Sequence, residues 1–212
     1  MDNQTKKGLF FALEGIDGSG KTTQAVLLAQ ILQQQGIPVC ETREPTAGPV
    51  GSLLRQVLTG RMKADGRVVA SLFAADRLDH LFNHTDGVLD QIEAGRTVVM
   101  DRYYFSSYAY HSVEVPMDWV VALNQQSSDA LKPTATIFVD VTAETAMERI
   151  EANRLHTELY ETRERLTAVR EGYLRAFRRL QKEETVIIVD GNRSPEQVAQ
   201  DIWNIVSVYY EG

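Results

Sequence analysis

The octapeptide Gly15-Ile16-Asp17-Gly18-Ser19-Gly20-Lys21-Thr22 satisfies Gly-x-x-x-x-Gly-Lys-[Ser/Thr] at every position, and its flanks limit what the chain around it can become. The apolar run over residues 9–13 reads as a strand entering the loop, and residues 22–35 read as a helix leaving it. A strand that turns through glycines straight into a helix points consecutive backbone N–H groups at one spot. The helix N-terminus adds partial positive charge there. Such a spot suits a polyphosphate. Lys21 is placed to reach the outer phosphates and the Thr22 hydroxyl to meet a magnesium ion, while the segment from Gly15 to Thr23 forms the cradle of a nucleoside triphosphate.

Beyond the loop, apolar β-rich runs alternate with longer helical stretches, the pattern of a parallel sheet covered by helices. Strands are predicted near residues 9–13, 37–40, 97–101, 136–141 and 186–190. Helices are predicted near 22–35, 50–58, 68–82, 87–94, 117–127, 143–152, 163–181 and 196–209. The expected fold is α/β, a P-loop NTPase fold with a five-stranded parallel sheet flanked by helices. The 212 residues suit one domain, 1–212, and the charged interval 153–162 is where a small mobile lid is expected.

Composition removes several classes. The net charge of −7 opposes a general nucleic-acid surface, so any phosphate ligand has to be gripped by a local basic cluster. Cys40 is the single cysteine, which excludes a disulfide framework or a cysteine-zinc site. The first residues lack the apolar core of a signal peptide and no run approaches membrane-spanning length. A cytoplasmic location with no membrane partner is expected.

The third predicted strand, Thr97-Val98-Val99-Met100-Asp101, ends in a carboxylate, which in phosphate-loop proteins lies beside the triphosphate and helps hold magnesium. Arg102 follows at the same strand end, and Arg43 lies just past the second strand. Ligands of open α/β sheets bind at the carboxyl ends of strands, where a planar guanidinium can grip a phosphate with two bonds. Two arginines beyond Lys21 point to a second phosphorylated ligand. The alternative is that each merely pairs with Glu44 or Asp101.

Four segments in order make the chain resemble the thymidylate kinases. They are Glu14-Gly15-Ile16-Asp17-Gly18-Ser19-Gly20-Lys21-Thr22-Thr23-Gln24, Arg43-Glu44-Pro45, Leu72-Phe73-Ala74-Ala75-Asp76-Arg77 and Asp101-Arg102-Tyr103, the last followed by Ser106-Ser107-Tyr108-Ala109-Tyr110. The resemblance spans nearly the whole chain. It implies transfer of the γ-phosphoryl group of ATP to dTMP, giving ADP and dTDP, with Mg2+ as cofactor and a homodimer as the assembly. By matching position, Arg43 and Arg102 would hold the acceptor 5′-phosphate, Phe73 would stack on thymine and Arg77 would bond to its edge. Tyr110 would pack under the sugar, with Ser107 and His111 also in the acceptor set. Asp17 would lie near the sugar 3′-hydroxyl and the metal, and Asp101 would assist the metal beside Thr22. Lys21, Arg102 and Asp17 would surround the transferring group.

Gly18 and Ser19 stand where some members carry a basic residue in the phosphate loop, so the resemblance assigns the catalytic arginine to the lid, with Arg154 first and Arg149 second. Arg163 and Arg165 read as solvated lid charges. His111-Ser112 replaces the family's usual Gln-Gly. His80 and His84, four apart on a predicted helix, read as an exposed face in preference to a zinc site. Arg175, Arg178 and Arg179 read as a solvated stripe.

Competing readings remain at this point. A deoxynucleoside kinase would use a carboxylate to deprotonate a sugar hydroxyl, and Glu44 superficially resembles that base. A kinase for another nucleoside monophosphate differs little, because a thymine methyl is worth only about 1 kcal/mol. A non-catalytic nucleotide-binding switch would need no acceptor pocket.

Overall fold

Five parallel strands lie in the order β2-β3-β1-β4-β5 in the computed structural model, which describes residues 7–153 and 162–210. They are β1 (Phe10–Glu14), β2 (Val39–Arg43), β3 (Thr97–Asp101), β4 (Ala135–Asp140) and β5 (Val186–Asp190). The first half of the chain adds α1 (Lys21–Gln34), α2 (Pro49–Leu58), α3 (Gly66–Phe82), α4 (Val88–Glu93) and α5 (Tyr104–His111). The second half adds α6 (Met117–Leu123), α7 (Gln125–Ala130), α8 (Ala143–Asn153), α9 (Arg163–Leu180) and α10 (Pro195–Ser207). The expected α/β sheet is the observed one.

Alternation along the strands explains the two layers. Phe10, Ala12, Val98, Met100 and Phe138 face a core completed by α5 and α9, through Tyr104, Phe105, Tyr173 and Phe177. Phe11, Leu13, Val99, Ile137 and Val139 face the opposite layer, completed by Leu28 of α1 and Ile202 of α10. The central strands β1 and β3 are buried at every residue, as a sheet covered on both faces requires. The chain leaves β1 for β2 on one side and reaches β4 on the other. The carboxyl end of β1, where the glycine loop begins, is therefore the switch point at which α/β sheets bind ligands.

Three local expectations are corrected. The second strand runs three residues further than residues 37–40, to Arg43, paired in register with Asp101. It lies at the sheet edge with Glu41 and Arg43 exposed, so its last residues form no apolar run. Helix α5 was not expected at all: six of its eight residues are buried, which erases the amphipathic stripe by which a helix is recognised. The single helix expected over 117–127 divides at Asn124, whose buried amide bonds back to the Val120 carbonyl oxygen at 2.8 Å.

Candidate active site

A cleft of about 1510 Å3 runs along the carboxyl ends of the strands, with the glycine loop at one end and Phe73 and His111 at the other. Two of the loop's glycines leave no room for a side chain. A Cβ on Gly15 would lie 2.5 Å from the Ser19 hydroxyl and 2.9 Å from the Val139 carbonyl oxygen. Gly18, at φ 78°, would drive a Cβ to 2.4 Å from the Ala146 carbonyl oxygen of α8. Gly20 caps α1 with no side-chain bond, leaving that helix terminus to an anion. Lys21 is buried, its Nζ 3.3 Å from the Ile16 carbonyl oxygen and 3.7 Å from Asp17 Oδ1. Burial pulls its pKa down, and Arg102 adds to that, while Asp17, Asp101 and Glu14 pull it back up. An arriving phosphate favours the charged form.

The centre of the cleft is a triangle of charge. Arg102 sits between β3 and α5 at φ 70°, a left-handed conformation that costs a non-glycine residue about 1–3 kcal/mol. Its Nη2 donates to Asp17 Oδ1 and its Nη1 to Ser106 Oγ at 3.3 Å, and its guanidinium carbon lies 4.9 Å from the Tyr110 ring centroid. The Tyr110 hydroxyl donates to Asp17 Oδ2 at 2.9 Å and accepts from the Asp17 backbone N–H at 2.9 Å. Arg43 stands exposed at the end of β2, and its side chain forms no hydrogen bond or ion pair among the described residues. Neither guanidinium forms an ion pair with Glu44 or Asp101 among the described residues. Asp101 instead accepts from the Thr22 hydroxyl at 2.5 Å through Oδ2, while its buried Oδ1 has no partner among the described residues.

The far end of the cleft is aromatic. Phe73 of α3 and His111 of α5 have ring centroids 5.0 Å apart, tilted by 48°. Burial pushes His111 down to about 3, and the positive charges of Arg77 and Arg165 add to the effect. An unfolded histidine takes up its proton near pH 6.5, so between pH 6.5 and 3 the unfolded chain holds more protons than the folded one. Stability from this site is fully present above pH 6.5 and drains as pH falls toward 3. The thermal midpoint of the protein is accordingly expected to fall more steeply over that interval than that of His111→Gln, measured by calorimetry in matched buffers.

The sequence model of the thymidylate kinase family matches residues 13–202, from the end of β1 into α10. The chain belongs to the thymidylate kinase family. It is 36% identical over 205 residues to the thymidylate kinase of Symbiobacterium thermophilum, covering 93% of this chain and 92% of that protein. It is 35% identical over 208 residues to the probable thymidylate kinase of Thermococcus gammatolerans, covering 94% and 96%.

Placed in the family's frame, the structure brings Lys21, Asp17, Thr22, Arg43, Phe73, Ser107, Arg102, Tyr110 and His111 to one cleft. Arg77 is not among the residues that line the cleft. It is fully buried behind Ser107, its Nη atoms donating to Glu44 Oε2 at 2.6 Å, to Ser107 Oγ at 3.0 Å and to Asn124 Oδ1. Arg154 and most of the 153–162 lid interval lie outside the described residues. Arg149 reaches the glycine loop itself, donating to the Ser19 carbonyl oxygen at 3.2 Å and to that of Gly191 at 2.9 Å. Arg165 is no solvated charge: it donates to Glu114 Oε1 at 2.8 Å. His84 lies beyond the end of α3, so it shares no helical face with His80, which bonds instead to the Thr42 hydroxyl at 2.7 Å.

Sequence reasoning missed the partnership of Glu44 with Arg77 and that of Asp76 with Thr46. The two neighbouring residues of α3 grip one loop: Arg77 holds the Glu44 carboxylate, and Asp76 accepts from the Thr46 N–H at 2.8 Å and hydroxyl at 2.6 Å. The signal available was two opposite charges set side by side straight after the apolar run Leu72-Phe73-Ala74-Ala75.

Proposed function

We propose that two anionic nucleotides lie end to end in this cleft, ATP with its phosphates on the segment from Gly15 to Thr23 and dTMP with its 5′-phosphate between Arg43 and Arg102. As a thymidylate kinase, the protein phosphorylates dTMP to dTDP with ATP as donor. The observation that carries the placement is Arg102, whose guanidinium stands between Asp17 of the loop and Tyr110 of α5. Phe73 supplies a face for the base, and Tyr110 and His111 close the sugar and base side.

Phosphoryl transfer here needs alignment and charge neutralisation more than acid–base chemistry. A 5′-phosphate oxygen of dTMP is already ionised and attacks the γ-phosphorus; the bond to the β–γ bridging oxygen breaks, and ADP departs with that electron pair. Lys21 and Arg102 offset the charge spread over the transferring group. Glu44 takes no part as a base, because its carboxylate is fully buried against Arg77, and this disfavours the deoxynucleoside kinase reading. Mg2+ fits the oxygen donors present: the Thr22 hydroxyl and the Asp101 carboxylate with its unpartnered Oδ1 would hold it. Bound there, it would neutralise phosphate charge. Asp17 keeps Arg102 aimed and stands near both the sugar and the metal in this reading. Arg149 supports the donor side, and Arg154 remains the lid arginine of the proposal.

A homodimer completes the reading, with the exposed Val68 and Phe82 of α3 and Trp119 of α6 as the apolar surface available for it. Sedimentation is expected to give a species near twice 23.8 kDa, and a monomer at micromolar concentration would remove the dimer. A cytoplasmic setting is part of the proposal; among the described residues no helix is long and apolar enough to cross a membrane. The function itself is tested by coupled ADP release with dTMP, dUMP, UMP, CMP, AMP and thymidine side by side. dTMP is expected to give the highest kcat/KM and thymidine no turnover; a preference for thymidine would overturn the phosphate clamp.

A further inference from the structure

Glu14 is the last residue of β1, completely buried, and outside every role assigned above. Burial pushes the pKa of this carboxyl up and the hydrogen bonds it receives pull it back, so its donors are informative. Its Oε1 accepts from the backbone N–H of Tyr103 at 2.8 Å and of Ser106 at 3.1 Å; its Oε2 accepts from the Ser106 hydroxyl at 2.6 Å and the Tyr173 hydroxyl at 2.8 Å. Tyr103 is the N-cap of α5 and caps nothing with its own side chain. Glu14 therefore does from a neighbouring strand what a capping side chain does locally: it binds the N–H of the N-cap residue Tyr103 and that of Ser106, the latter shared with the Tyr103 carbonyl oxygen at 3.1 Å.

Two things follow from where that turn lies. Arg102, immediately before it, holds its φ of 70° between a backbone bond to the Leu13 carbonyl oxygen at 2.9 Å and the start of the capped helix. Its Nη1 rests on Ser106 Oγ, the same hydroxyl that donates to Glu14. Gly15, immediately after Glu14, begins the phosphate loop, and its carbonyl oxygen lies 3.3 Å from the Tyr173 hydroxyl. One carboxylate thus ties the origin of the donor cradle to the root of the acceptor clamp.

We propose that Glu14 is a positioning residue for phosphoryl transfer, holding the Arg102 turn and the N-terminus of α5 in fixed register with the phosphate loop. The inference rests on the assignment of Arg102 to the acceptor phosphate. Deleting the carboxylate frees the strained turn to relax, so the guanidinium loses its aim while the loop keeps its glycines and Lys21. A shift of the reacting groups by about an ångström is enough to cost on the order of 10²-fold in rate.

The test compares Glu14→Ala, Glu14→Gln, Arg102→Ala and the Glu14→Ala/Arg102→Ala double variant. Steady-state kinetics with dTMP are measured alongside equilibrium binding of a fluorescent ATP analogue. Glu14→Ala is expected to lower kcat and raise the dTMP KM, together by at least tenfold in kcat/KM, with analogue affinity within threefold of the parent. Glu14→Gln keeps an oxygen for the two N–H donors, and Ser106 and Tyr173 can turn their hydroxyls to accept from its amide, so it should recover most of that loss. In the Arg102→Ala background, Glu14→Ala should add less than threefold. Multiplying effects in the double variant, or equal losses of dTMP and analogue binding, would overturn the positioning role. Should Glu14→Ala fail to fold, Ser106→Ala replaces it and is expected to lower dTMP kcat/KM with analogue affinity unchanged; no change in either overturns the proposal. Arg102→Ala alone separates the two levels, since parent-like dTMP kinetics there would remove the acceptor assignment and not Glu14 specifically.

Discussion

Arg102→Ala is expected to lower kcat/KM for dTMP about a hundredfold while ATP binding stays within threefold of the parent. A charge-assisted hydrogen bond contributes about 1.5–3 kcal/mol, and a guanidinium that grips a phosphate in two places sits at the upper end of that range. The donor side keeps Lys21, Thr22 and the amides of the glycine loop, which the Arg102 side chain meets at Asp17. One complication can be separated by choice of substitution. Alanine inherits the φ of 70° and its strain, whereas glycine adopts that conformation freely. Arg102→Gly should therefore fall as far as Arg102→Ala in dTMP kinetics. Recovery of activity in the glycine variant would mean that backbone geometry, and not the guanidinium, is what the acceptor requires.

Arg77→Ala is expected to destabilise the fold by about 3–5 kcal/mol, read from urea unfolding. The Arg77 and Glu44 side chains are each only 1% exposed and 2.6 Å apart, so removal of the cation strands a carboxylate in the interior. The nearest other titratable group is His80, whose Nδ1 lies 3.4 Å from Glu44 Oε1. Removing both charges together should cost far less than removing one, because a buried pair roughly balances its own desolvation. Arg77→Met with Glu44→Gln is accordingly expected to regain more than half of the stability lost in Arg77→Ala. Equal losses in the single and double variants would show that packing around the loop, not the stranded charge, sets the cost. A drop in dTMP affinity should accompany Arg77→Ala, since Ser107 and the loop after Arg43 both lean on this arginine.

Legibility followed the reach of each signal along the chain. The glycine loop could be read because its steric demands are met by adjacent residues: Gly15, Gly18 and Gly20 answer to backbone conformation, and Lys21 and Thr22 complete the same motif. The five strands could be read wherever both faces were buried, because β1, β3 and β4 are then nearly unbroken apolar runs. Strand β2 was cut short at Cys40 because at the sheet edge polarity no longer marks an end. Helix α5 carries no legible signal, because aromatic residues on several of its sides leave no periodic contrast.

From order and spacing alone the chain established a nucleotide cradle, a parallel sheet and two arginines at strand ends, since each of these is a local pattern of residue types. The tertiary structure alone decided who pairs with whom. Arg102 goes to Asp17, Arg77 to Glu44, and Glu14 to the N-terminus of α5, across separations of 85, 33 and 89 residues. A guanidinium or carboxylate can accept many partners, and sequence order does not rank them. Once the strands lie side by side, buried charge has to be neutralised or hydrogen-bonded within about 3 Å, and only the folded chain brings particular groups that close.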